Sequence, residues 1–242
     1  MVSQNVSKAR VVSSTALSTA LVFVATASIS IYIPATRGYF NLGDSMVFLT
    51  ALLFGPIVGF VAGGLGSMLS DLFLGYTVYA PATLIVKGVE GLLTGFLHDV
   101  FTRSGSRATR LLMVFLPVPT VILGIILVLV LFSGEAEVSL LTIYSATVAY
   151  QPILFTILIV LAASLIFICR VYRENLPLIV PCFIGGFEMV LGYFLYELYL
   201  YQLGAVLEVP ANFAQTFLGT LVAVPLYNAV AKRMGQPRII SR

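Results

Sequence analysis

The segment spanning residues 38–95 decides the fold class of this chain, and it reads GYFNLGDSMVFLTALLFGPIVGFVAGGLGSMLSDLFLGYTVYAPATLIVKGVEGLLTG. Most of it is apolar over lengths that suit a bilayer. Five polar or charged residues interrupt these apolar runs: Asn41, Asp44, Asp71, Lys87 and Glu90. Because a charged side chain at membrane depth is costly, each of them needs a partner, a water-filled cavity or a functional role.

The composition of the whole chain indicates an integral membrane protein. Of its 242 residues, 60% are apolar and 10% are charged, and the mean hydropathy is +1.05. Soluble domains carry about 25% charged residues, so this chain lacks the polar side chains to cover a globular surface. We predict a single all-α, multi-pass domain over residues 1–242 in the cell membrane. The net charge of +3 does not indicate nucleic-acid binding, because the basic residues lie at segment ends.

The first apolar run, residues 11–33, predicts a membrane-spanning helix that ends before Pro34. Lys8 and Arg10 precede it, and basic residues beside a span favour the cytoplasmic side. The N-terminus is therefore predicted to be cytoplasmic.

The next apolar run, residues 45–74, fits either one long tilted helix or two short ones. Gly55-Pro56 lies in its middle and favours a break. Two helices place the basic loop 103–110 on the cytoplasmic side, whereas one helix would place it outside. The predicted helices are accordingly 45–54, 57–74 and 81–100.

Residues 111–132 and 148–169 contain no charged side chain and predict an additional transmembrane hairpin within 111–170. Two further helices, 178–203 and 213–230, complete eight segments and leave the C-terminus cytoplasmic as well. The core of the bundle would then comprise 11–101 and 178–234.

On this topology nearly all intramembrane polarity falls in the outer half, which favours a pocket open to the outside over a pathway across the membrane. We predict that nine residues bind a substrate there: Asn41, Asp44, Asp71, Tyr79, Lys87, Tyr193, Glu197, Asn212 and Gln215. Other roles stay open for three of them. Lys87 either contacts a ligand or pairs with Glu90 three residues later, Asp71 suits a helix end, and Asn212 suits an N-cap.

The sequence does not indicate an enzyme, a cofactor or a metal site. It contains no HExxH, GxSxG or Walker motif. One histidine and two cysteines make a usual metal site improbable. Any energy for transport would have to come from a partner protein or an ion gradient.

A set of short motifs in fixed order resembles the substrate-binding S components of energy-coupling factor (ECF) transporters, in particular the riboflavin-type group. The motifs are NLGD at 41–44, LFGP at 53–56, GGLGS at 63–67 with Asp71, AP at 80–81 with KG at 87–88 and EG at 90–91, GYF at 192–194 with Glu197, and PAN at 210–212 with Gln215. The resemblance covers residues 11–101 and about 178–234.

The resemblance implies a six-helix, S-component-like bundle that binds a vitamin or vitamin precursor under the loop around residues 38–44. A riboflavin-like compound, a thiamine precursor and a B6 vitamer all fit the predicted pocket. The family works in the lipid bilayer with a T-component membrane protein and two ATPases. Its AxxxA docking pattern on the first helix is matched by Ala16 and Ala20. A stand-alone secondary transporter of a small organic solute and a structural membrane scaffold are the alternatives.

Overall fold

A computed structural model describes residues 2–34, 36–104, 135–140, 144–149 and 175–233. These residues form six α-helices, one 3-10 helix and two small β-hairpins. The elements are α1 (Val2–Ser28), β1 (Ser30–Ile33), β2 (Gly38–Asn41), α2 (Gly43–Phe54), α3 (Pro56–Leu74), α4 (Ala80–Ser104), β3 (Glu135–Leu140), β4 (Tyr144–Ala149), α5 (Leu176–Tyr201), the 3-10 helix (Gln202–Leu207) and α6 (Val209–Arg233).

Five of these helices are long and apolar enough to cross a membrane, and α2 is a shorter apolar helix. Large apolar side chains such as Ile57, Phe73 and Ile85 are more than half exposed on the outside of the bundle, as expected for side chains that face lipid. The predicted all-α membrane architecture is therefore confirmed.

The predicted break between residues 45–54 and 57–74 is also confirmed. Gly55 has a φ of 87° and ends α2, and Pro56 begins α3. A positive φ favours glycine, and proline suits the first position of a helix, where no intrahelical N–H bond is needed. The sequence Gly-Pro thus turns the chain between two separate helices.

The first helix ends earlier than predicted, and this expectation was wrong. α1 stops at Ser28, and Ser30–Ile33 pairs antiparallel with Gly38–Asn41, with Tyr32 opposite Tyr39. Residues 29–33 are rich in isoleucine and tyrosine, which favour strands, and a residue before proline prefers extended backbone. We call this β1–β2 hairpin the lid; β1 is largely exposed, whereas β2 is buried against the bundle.

The predicted hairpin within 111–170 falls mostly on residues outside the described part of the chain. Its second helix was expected to begin at Val148, but Val148 and Ala149 belong to β4, which pairs antiparallel with β3. That start was wrong, because the run YSATVA is rich in strand-forming residues. The segment 111–132 and the remainder of 148–169 lie outside the described residues.

Close backbone contact joins α3 to α4. Gly59 and Gly91 face each other, and a Cβ atom on Gly59 would lie 2.6 Å from the carbonyl oxygen of Gly91. Small residues of this kind allow membrane helices to approach closely. α1 packs on α3, α5 packs on α4, and α6 packs on α2.

Two apolar clusters lie in the bundle, one toward each end. The first cluster joins α2, the start of α5 and the end of α6 around Phe48 and Cys182. The second joins the start of α4, the later part of α5 and the start of α6 around Tyr79, Met189 and Tyr193.

Candidate functional site

A polar cavity lies beneath the lid, between α1, α3, α4, α5 and α6. Its wall consists of Thr26, Gly38, Tyr39, Asn41, Ser67, Asp71, Tyr79, Thr83, Lys87, Tyr193, Glu208, Asn212 and Gln215. The free space inside is about 20 Å³, which is room for about one water molecule. The lid is therefore closed over the cavity.

The first contact that fixes the lid joins β2 to α3. The phenol of Tyr39 donates a 2.6 Å hydrogen bond to Asp71 Oδ1, and its ring stacks on Tyr76 with centroids 4.3 Å apart. Burial, together with the Asp71 carboxylate, raises the pKa of Tyr39. The phenol therefore stays protonated and remains a donor.

The second contact joins the tip of the lid to the start of α6. The hydroxyl of Thr36 donates to Glu208, and the phenol of Tyr79 donates a 2.8 Å hydrogen bond to the Thr36 carbonyl oxygen. Burial raises the pKa of Tyr79, and the nearby Glu208 and Glu197 carboxylates raise it further. Glu197 thus lies beside this contact rather than in the cavity wall.

The third contact joins the end of β2 to α6. Gln215 accepts a 2.6 Å hydrogen bond from the backbone N–H of Asn41, and it donates to Asn212 at 3.2 Å. The Asn41 side chain in turn accepts a hydrogen bond from the N–H of Gly43 at the start of α2. Three separate contacts therefore attach the lid to helices that are far apart in the sequence.

A buried ion cluster lies beside the cavity. The Lys87 ammonium contacts Asp44 on α2 and lies 3.0 Å from Glu90 Oε2, without hydrogen-bond alignment to Glu90. All three side chains are at least 97% buried. The ammonium also lies 5.8 Å from the centre of the Tyr193 ring, within the range of a cation–π interaction.

The structure brings seven of the nine predicted residues into the cavity wall. The other two lie just outside it: Asp44 is buried as the partner of Lys87, and Glu197 lies near Glu208 and Tyr79. Of the two roles considered for Lys87, pairing with Glu90 is present, and Lys87 also lines the cavity. Whether these residues bind a substrate stays a prediction.

Six residues of the wall were not among the nine predicted ones, namely Thr26, Gly38, Tyr39, Ser67, Thr83 and Glu208, although Gly38 and Tyr39 lie in the loop around 38–44 that was expected to cover the ligand. Ser67 had a usable signal, because it lies four residues before Asp71 and shares its helix face. Glu208 lies between the predicted helices 178–203 and 213–230 and was expected in a loop. Tyr39 faces the bundle because β2 pairs with β1, and the residues of β1 were predicted to be the end of the first helix. Within the described residues, no cluster of His, Cys, Asp and Glu is arranged to hold a metal ion.

The residues predicted to dock a partner lie on the outside of the bundle. Ala16 and Ala20 are exposed on α1, on the same face as Val12 and Val24, which are 68% and 57% exposed. The opposite face of α1 is buried through Ser18, Val22 and Thr26. A membrane partner thus has access to Ala16 and Ala20 without disturbing the bundle.

Comparison with known proteins identifies a family and a relative of this chain. A family model described as "ECF-type riboflavin transporter, S component" matches residues 6–171, more than half of the chain. This range includes the segment 111–170, and the division into a core and an added hairpin stays a prediction.

The chain is also 44% identical over 108 residues to a Pyrococcus woesei protein described as an uncharacterized protein in the gap 3′ region. That match covers 45% of this chain and 66% of the relative, which is just under two thirds of its length. No solved structure matches the chain. On the family match and the five spanning-length helices, the chain belongs to the ECF-type riboflavin transporter S components, multi-pass proteins of the cell membrane.

Proposed function

We propose that this chain is the substrate-binding subunit of an ECF importer and captures a vitamin or vitamin precursor of the riboflavin-like, thiamine-precursor or B6 class. One observation carries the proposal: a polar cavity lies under a β-hairpin lid at one end of a bundle whose outer surface is largely apolar. Small-molecule sites are typically concave, largely preformed and equipped with a few converging polar groups. The family match supports a riboflavin-type ligand.

The aromatic residues of the cavity suit a flat heterocycle. Tyr39, Tyr79 and Tyr193 line it, and Tyr76 stacks on Tyr39 from behind. Aromatic rings gain both buried area and favourable stacking geometry from a planar partner. Since the closed cavity holds about one water molecule, the lid must move away from α3 and α6 to admit such a ligand.

Binding by purified protein tests this function. Mass spectrometry would identify any vitamin that copurifies, and calorimetry would measure the affinities for riboflavin, thiamine and pyridoxal. Asn212→Ala is expected to weaken binding of the cognate vitamin about tenfold, because one buried hydrogen-bonding group is lost from the cavity wall. Asn228→Ala is the matched control, since Asn228 is exposed on the same helix and bonds only to Asn175 among the described residues.

The proposal would be wrong if none of the three vitamins bound and none copurified. Equal affinities for the parent, Asn212→Ala and Asn228→Ala proteins would reject the cavity as the binding site while leaving vitamin binding by the chain intact.

The transport step is proposed to require a T component, which docks on the exposed face of α1, and two ATPases. The double substitution Ala16→Leu and Ala20→Leu is expected to leave vitamin affinity unchanged and to abolish ATP-dependent uptake, because bulky side chains prevent close helix contact. Ala229→Leu, at an exposed position of α6, is the control and is expected to retain uptake.

Uptake would be measured in cells that express the chain with its T component and ATPases. Normal uptake by the double variant would contradict this docking surface. Uptake that persists without any ATPase would instead favour a stand-alone secondary transporter.

A further inference from the structure

Two polar atoms in the cavity wall have no hydrogen-bond partner among the described residues. They are Ser67 Oγ and Asp71 Oδ2, on side chains that lie one turn apart on α3 and are only 2% and 3% exposed. Buried polar atoms are nearly always paired, and leaving them unpaired destabilises the folded protein. Because both residues line the cavity, a bound molecule is the natural partner for them.

The Asp71 carboxylate serves as a hydrogen-bond acceptor in this structure. Its Oδ1 atom accepts from the phenol of Tyr39, and its Oδ2 atom is left for another donor. The hydroxyl of Thr83 accepts from Tyr193 at 2.9 Å and lies near this carboxylate, but it is not in hydrogen-bond geometry with Oδ2. The group that completes the site should therefore present N–H or O–H donors toward α3.

The charges around the cavity disfavour an anionic ligand. Lys87 is the one basic side chain in the wall among the described residues, and its ammonium already contacts Asp44 and Glu90. Asp71 and Glu208 add two further carboxylates to the wall. Like charges brought together in a buried site are strongly unfavourable.

We propose that Asp71 and Ser67 form a subsite that recognises hydrogen-bond donors of the ligand, so that the cavity takes a neutral or cationic heterocycle and excludes its phosphate ester. This inference rests on the proposed vitamin-binding function and adds the chemical class of the ligand. Discrimination against the ester arises from repulsion by the carboxylates, which is a common route to specificity.

Three matched pairs of probes test the charge selection: riboflavin with flavin mononucleotide, thiamine with thiamine monophosphate, and pyridoxal with pyridoxal phosphate. Within whichever pair the purified parent protein binds, the phosphate ester is expected to bind about 100-fold more weakly or worse. Comparable affinities for both members of that pair would overturn the inference. Failure of all six probes, with no vitamin or precursor copurifying, would instead reject the proposed vitamin function.

A substitution on α3 tests whether Asp71 causes the preference for the vitamin over its phosphate ester. Asp71→Asn keeps the shape of the side chain but removes its charge, and it is expected to weaken binding of the unphosphorylated vitamin about tenfold, since a charged acceptor is lost. It is also expected to reduce the ratio of the affinities for the vitamin and for its phosphate ester to about tenfold or less. Asp99→Asn removes an exposed carboxylate from α4 and should change neither affinity.

Tyr39→Phe separates this subsite from lid closure. It removes the hydrogen bond from the lid to Asp71 but leaves the carboxylate, so it should weaken both members of a pair by the same factor. The inference would be overturned if Tyr39→Phe reduced the preference for the unphosphorylated vitamin as much as Asp71→Asn does. If Asp71→Asn failed to fold, Ser67→Ala would test the subsite, with an expected loss of about threefold to tenfold in vitamin affinity; an unchanged affinity would count against it.

Discussion

Replacement of Lys87 with methionine is expected to lower the free energy of unfolding by about 3–5 kcal/mol, because it leaves buried carboxylates without their counter-charge. Asp44 and Glu90 both lie against this ammonium, and neither side chain is more than 1% exposed. Methionine retains most of the volume and flexibility of the lysine stem. The loss would therefore come from charge rather than from a cavity.

Thermal unfolding in detergent would measure this effect through the buried thiol of Cys182. Cys182 is fully buried between α2, α5 and α6, so a thiol-reactive fluorophore would label it only as the bundle opens. A Cys169→Ser background makes Cys182 the reporter, because the chain has two cysteines.

Arg103→Met is the matched control for the Lys87 substitution. Arg103 is a cation on the same helix, but it is 80% exposed and pairs with Asp99 at the surface, where ion pairs contribute little. A Lys87→Met protein as stable as Arg103→Met would contradict a structural role for the ion cluster. Adding Asp44→Asn and Glu90→Gln to Lys87→Met should recover part of the lost stability, because the uncompensated charges are then removed.

Gly91→Ala is expected to destabilise the bundle by about 1–3 kcal/mol, the usual effect of forcing an extra methyl group into a tightly packed contact. An added Cβ atom at Gly91 would lie 2.5 Å from the carbonyl carbon of Gly59, and the backbone of α3 cannot move away without separating the two helices.

Gly88→Ala is the comparison for this substitution, since it adds the same methyl group one turn earlier on α4. There the new Cβ atom would lie 2.9 Å from the ring of Phe60, which is 39% exposed and can rotate toward the lipid. The same unfolding measurement should therefore show a much smaller loss for Gly88→Ala. Equal losses at both positions would show that the α3–α4 backbone contact does not limit stability.

The helical framework was predictable because its signals are local. Apolar runs of bilayer length identify the helices, and Gly55-Pro56 marks the turn between α2 and α3 through backbone constraints that those two residues carry themselves. Seven wall residues were predictable for a related reason. A polar residue within an apolar run must turn away from lipid, so its presence alone indicates an interior site.

The pairing of these polar residues was not predictable from the sequence. Asp44 is 43 residues from Lys87, and Thr36 is 172 residues from Glu208, so only the packing of the helices decides which groups meet. The first strand of the lid was missed because it continues the run of α1 without a charged residue or a proline between them. A window of hydrophobic residues alone does not distinguish a helix end from a short strand.

The closed lid has a kinetic consequence. It is attached to α3 through Tyr39, to α6 through Asn41 and to Glu208 through Thr36, and opening it breaks all three attachments. Under the proposed function only the open form would admit ligand, so the apparent affinity would be the intrinsic affinity reduced by the fraction of molecules that are open. At high ligand concentration the observed rate of binding should reach a plateau equal to the rate of lid opening, and weakening any one attachment should raise that plateau.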